Sequence, residues 1–223
     1  MKRVCRATVF LFLAVGLTLS AQTPPEDEPY CDGKAGKTVQ IADSDAKILG
    51  FVIGRTSLKD VQTRLGKATP IRLSREEESD IAICYVSPAD GTVLALYSGA
   101  MGGWTDVTHF ALWSREVVPA RYSHCTPSAL VTRKLSTESG LRLGLKREEV
   151  ERLAGNPAHA ARDSEKYEYT CKRKMTPEEI KGFKTANNWD VSQEPYFDRM
   201  SWIDVSYTNS ALSHIEVGEI ESY

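Results

Sequence analysis

The chain reads as an α+β protein built from two tandem units, each a short helical segment packed on a small antiparallel β-sheet. Three observations predict this class. The phrase Ile53-Gly-Arg-Thr-Ser-Leu-Lys-Asp-Val-Gln-Thr-Arg-Leu-Gly66 returns in outline as Leu143-Gly-Leu-Lys-Arg-Glu-Glu-Val-Glu-Arg-Leu-Ala-Gly-Asn-Pro157. Three segments of strand character follow each phrase, and each copy carries two cysteines. A turn, helix and glycine stop repeated together with its strands is the pattern of a duplicated fold.

Taken in order, Lys2, Arg3 and Arg6 precede the apolar run Val9 to Leu19 and the small residues Ser20 and Ala21. Basic residues, apolar run and small residues in that order make residues 1–21 a secretory signal peptide. The run is shorter than the ~20 residues of a spanning helix, and no later segment approaches that length, so no membrane span is expected. Loss of the signal removes three basic residues and no acids, moving the formal charge from −2 to −5. No strongly basic face for nucleic acid is implied. Residues 22–37, with Thr-Pro-Pro-Glu-Asp-Glu-Pro at positions 23–29, hold too few apolar groups to offset the entropy of ordering and read as a flexible leader.

Unit 1 spans residues 38–119. Ser57 caps a helix whose third residue, Asp60, can return a bond to the cap amide; Leu58, Val61 and Leu65 make one apolar stripe, and Gly66 supplies the stop. Ile81–Val86, Val93–Tyr97 and Thr108–Trp113 follow, rich in β-branched and aromatic residues and bounded by turn formers. Unit 2 spans 120–223. Its stripe is Val150, Leu153 and Ala154, its stop Gly155, and Lys146 stands where a capping hydroxyl belongs. Its strands are Lys166–Cys171, Trp202–Tyr207 and Ser213–Val217. An insertion, 175–199, opens Thr176-Pro-Glu-Glu179, a capping box with proline in the first helical position. It continues as a short helix to about Ala186, then a loop with Trp189, Tyr196 and Phe197.

The copies are compared by offset: Val61 to Val150 is 89, Cys84 to Cys171 is 87, Tyr97 to Tyr207 is 110 and His109 to His214 is 105. Cys31, Cys84, Cys125 and Cys171 survive processing, and an even number in an exported chain points to disulfides. A duplicated unit carrying its own staple gives Cys31–Cys84 and Cys125–Cys171. The alternatives Cys84–Cys125 and Cys31–Cys171 would cross-link the halves.

Glycine, acidic residue, valine, then Leu-x-Gly-x-Pro or close to it, followed by a small antiparallel sheet, resembles the BamE (SmpA/OmlA) small-lipoprotein superfamily. Two such units in one exported chain look like the tandem architecture of the β-lactamase inhibitor protein family. The resemblance covers most of residues 38–223 and is sharp only in the two helical phrases. It implies helices on one sheet face and protein binding by the other face or its loops, and it carries no partner identity.

Where the copies disagree, two loops become candidates for binding a protein: Met101 and Trp104 of Ser98-Gly-Ala-Met-Gly-Gly-Trp104, and Phe183, Trp189, Tyr196 and Phe197 of the insertion. Aromatics and methionine concentrate at interface cores. His109 and His214 match by repetition, without carboxylates or cysteines at ligand spacing, so no metal is expected. Catalytic elbows, zinc-protease helices and phosphate loops are not in the sequence, and neither a cofactor nor a small-molecule ligand is indicated. The reading is an exported, non-catalytic protein-binding module of the cell envelope or extracellular space, inhibitor-like or assembly-like. A structural envelope component and a hydrolase are the other readings left open.

Overall fold

Residues 30–31, 41–73, 80–187, 191 and 195–223 are described by a computed structural model. The expected signal peptide, the expected leader apart from Tyr30 and Cys31, residues 74–79 and Trp189 lie outside them. The first described elements are a two-stranded ribbon, β1 (Lys47–Ile48) with β2 (Phe51–Val52), and helix α1 (Leu58–Leu65). Ser57 and Asp60 exchange the two bonds of a capping box, and Leu58, Val61 and Leu65 are buried. Then come β3 (Ile71–Arg72), β4 (Ile81–Val86), β5 (Val93–Ser98), β6 (His109–Trp113) and β7 (Thr126–Pro127). Helix α2 (Arg147–Ala154) is followed by β8 (His159–Ala160), β9 (Ser164–Lys174), α3 (Pro177–Asn187), β10 (Tyr196–Thr208) and β11 (Ala211–Ser222).

The units do not keep separate small sheets. All strands but the ribbon join one nine-stranded sheet in the order β3-β4-β5-β6-β11-β10-β9-β8, antiparallel throughout, with β7 added in parallel beside β4. Among the described residues the fold is mainly β, and the three α-helices are minor parts. This corrects the expected α+β class, and the reason is an edge. A meander of three strands leaves β6 and β11 with unpaired backbone groups, and pairing them removes both exposed edges. The joining ladder matches His109 with Gly218, Ala111 with Glu216 and Trp113 with His214. With His109 equivalent to His214, that register is symmetric about the pair Ala111–Glu216.

One face of the sheet, here the inner face, carries Ile83, Tyr85, Leu94, Leu96, Phe110 and Leu112 from the first half. Tyr167, Ile203, Val205, Ile215 and Val217 continue it in the second half. The helices and the crossing segment with Val131, Leu135, Leu141, Leu143 and Leu145 bury it. Each short helix is tied at its C-terminal end: Tyr85 Oη donates to the Gly66 carbonyl at 2.8 Å, and Tyr169 Oη to that of Ala154 at 3.3 Å. The expected stripe on α2 is narrower than its sequence, because Leu153 is 40% exposed and Val150 alone is fully buried.

The cysteines pair as Cys84–Cys125 and Cys31–Cys171, with Cα atoms 4.9 and 5.1 Å apart. The symmetric pairing is therefore wrong. Ladder registers run Cys84–Ala95–Ala111–Glu216–Asp204–Lys166 across the sheet, so the counterpart of Cys84 in the second half is Lys166. Cys171 lies five residues further along β9, and an odd shift puts a side chain on the opposite face. Tyr97 and Tyr207 fail as counterparts likewise: Tyr97 lies on the outer face and Tyr207 in the inner core.

Candidate partner-binding face

The outer face is treated differently in its two halves. Over the first half lies a strap, residues 115–127, with 3-10 turns at Arg115–Val117 and Ala120–Tyr122. Cys84–Cys125 staples it, the Tyr97 and Tyr122 hydroxyls meet at 2.6 Å, and the Trp113 and Tyr122 rings lie 4.9 Å apart. Ala82, Cys84, Val93, Ala95, Tyr97, Ala111 and Trp113 are consequently buried. In the second half the same face stays partly open. Lys166, Trp202, Asp204, Ser206, His214 and Glu216 are part-exposed, and Glu168 and Thr170 exposed.

Two rows of rings cross from the covered half to the open one. Tyr97 stacks on His109 at 4.0 Å, and the His109 ring lies 5.8 Å from that of Trp202. Trp202 gets there by lying over Gly218, where a Cβ would stand 2.0 Å from the indole. The second row is Tyr122, Trp113 and His214, the last two stacked at 5.2 Å. Between the rows sits Glu216, whose Oε1 accepts from Trp202 Nε1 at 3.4 Å, and directly across the ladder from it stands Asp204. Lys166 faces Asp204 across the next ladder and bonds Glu168 at 2.9 Å. Asp204 Oδ1 and His214 Nε2 are shut off from solvent and, among the described residues, have no hydrogen-bond partner.

Burial raises the Asp204 and Glu216 carboxyls above the usual range; Lys166 pulls both back, and Arg121 of the strap also acts on Glu216. Burial pushes His109 and His214 down to about 4, so both rings are neutral near pH 7. Beyond His214 the face runs into a cleft of about 410 Å³ lined by His159, Ser164, Lys166, Asp204 and Ser206.

The glycine-rich loop sits at one end of the sheet. Met101 and Trp104 are exposed, and Trp104 has a left-handed backbone, φ 65°. Met101 also borders a groove of about 430 Å³ with Lys47, Arg55, Asp106 and Glu219. The insertion is different. Tyr196 and Phe197 belong to β10 rather than to a loop. Phe183 of α3 packs on Phe197 at 5.6 Å and on Tyr223 at 5.2 Å, the Arg173 guanidinium lies over Phe197, and Arg173 bonds Glu179 and Glu221. Tyr196 packs on Tyr30. Phe183, Tyr196 and Phe197 are thus engaged within the chain, whereas Met101 and Trp104 are exposed.

Trp202, Asp204 and Glu216 were not singled out by the sequence, although one signal was there. In Trp202-Ile-Asp-Val-Ser-Tyr207 the apolar phase is Ile203, Val205 and Tyr207, leaving a tryptophan in the polar phase beside an aspartate. The buried Glu165 is structural: it accepts from Arg147, Tyr167 and Tyr207, which satisfies a charge that burial would otherwise penalise.

Fold and face together define a doubly stapled antiparallel sheet protein with one face open over half its width. No protein-family model, curated protein or solved structure matches the chain. The two disulfides fit an oxidising, exported location. Among the described residues no helix is long and apolar enough to cross a membrane.

Proposed function

We propose that this chain is an exported, non-catalytic protein-binding module that receives its partner on the open half of the outer face, with the glycine-rich loop at its margin. The observation that carries this reading is the contrast between the halves: the same sheet face is sealed by a stapled strap on one side and left open, around Trp202, on the other. Tryptophan in a partly desolvated setting is a typical interface anchor, and a half-open antiparallel face is a ready platform because its backbone is already satisfied. The two helical phrases support the reading through their resemblance to inhibitor-like and assembly-like repeats. The reading leans less on the second aromatic segment, since Phe183 and Phe197 pack on each other.

The test is affinity capture from envelope and culture fractions with the mature, oxidised chain. A protein retained by the wild type and lost from Trp202→Ala and Trp104→Ala, both still disulfide-bonded and folded, is the expected result. Retention unaffected by either substitution would sink the assignment of this face.

A further inference from the structure

Asp204 and Glu216 stand directly opposite each other on neighbouring strands, an arrangement that is destabilising for like charges. The surroundings do not resolve it. Lys166 is drawn to Glu168, and Arg121 approaches Glu216 from the strap, where its guanidinium also lies over the Tyr122 ring. Three carboxylates therefore face two cations, the neighbouring histidines are neutral near pH 7, and the centre of the open face keeps one net negative charge. Among the described residues Asp204 Oδ1 accepts no bond. Trp202, next to the pair, offers an indole held in place by Gly218 and His109.

Resting on the docking reading above, we propose that Asp204 and Glu216, flanked by the Trp202 indole, receive a cationic side chain, arginine or lysine, from the docked protein. Such a guest donates to the part-exposed carboxyls from the open side, separates the two like charges, and packs its stem or guanidinium against tryptophan. Arginine fits best, because its planar fork reaches two carboxylates at once and stacks on an aromatic ring. Arg121 is then the competing cation of the chain itself.

The experiment pans a phage-displayed library of random peptides against the immobilised, oxidised chain, in parallel with Asp204→Asn/Glu216→Gln, Trp202→Ala and Arg121→Ala. Intact disulfides and an unchanged near-ultraviolet circular dichroism spectrum certify each fold. The expected result is enrichment of arginine and lysine on the wild type, with recovery of those clones roughly tenfold lower on the carboxamide double variant. The exposed-site variant Arg121→Ala should raise the enrichment. Peptides retained through Trp202 without a cationic preference, or equally by the double variant, overturn the proposal and leave the docking face standing. No peptide retained above a blank surface overturns both.

Discussion

Gly218 has a packing role on the outer face. Its missing side chain is the floor on which Trp202 lies, since an added Cβ would meet three indole carbons within 2.4 Å. Gly218→Ala should displace the ring and cost about 1–3 kcal/mol by overpacking, read as a lower urea midpoint with unchanged slope. The two outer-face histidines make a second prediction. Each has a folded-state value near 4, below the ordinary 6.5, so between those values the unfolded chain binds more protons and stability falls as pH falls. The stabilisation is complete above about pH 6.5 and lost toward pH 4, on the order of 3 kcal/mol for each ring taken alone. Around His109 stand Thr108, Tyr97 and Trp202; around His214 stand Glu216, Ser206 and Trp113. The raised carboxyls of Asp204 and Glu216 act in the opposite sense, since the folded chain holds their protons more tightly. His109→Gln/His214→Gln should therefore flatten or reverse the acid loss seen in urea titrations across that range; an undiminished loss would assign it elsewhere.

At the scale of elements, the strap decides which half of the outer face is available. It is held by one disulfide closing a span of 41 residues, by the Tyr97–Tyr122 bond and by ring packing on Trp113. Cys84→Ala/Cys125→Ala should cost about 4 kcal/mol in the chain-entropy model and speed amide exchange in residues 115–127 and in β4 before β10 and β11 respond. Helix α3 is a buttress on the inner side, where Arg173 draws the Glu179 carboxyl down to about 2. Phe183→Ala should raise exchange within 176–187 while leaving any partner binding through Trp202 unchanged. The helices were legible in the sequence because capping boxes and stripes are local: Ser57–Asp60 and Thr176–Glu179 form as their spacing suggests. The disulfides were not, because matching Cys84 to Cys171 ignores which face each occupies, and an odd register shift between copies is invisible until the ladders are known. The candidate loops fared by the same rule. Met101 and Trp104 stay exposed on a local glycine-rich turn, whereas the neighbours of Phe183 and Phe197 come from parts of the chain distant in sequence.

Over the whole molecule, the joining of β6 to β11 turns two meanders into one sheet, and its symmetric register places Ala111 and Glu216 side by side at the centre. Symmetry then breaks on the outer face: the position sealed in the first half by a strap and Cys84 is, in the second, an open strip with Trp202, Asp204 and Lys166. That asymmetry underlies the claim that this surface receives a protein. Oxidative footprinting of the intact chain, with and without a bound partner, addresses it directly. The account predicts that partner binding protects Trp202 and Met101 from oxidation while Leu153 and Phe197 keep their free reactivity. Protection confined to α2 and α3, with Trp202 as reactive as in the free chain, would contradict it.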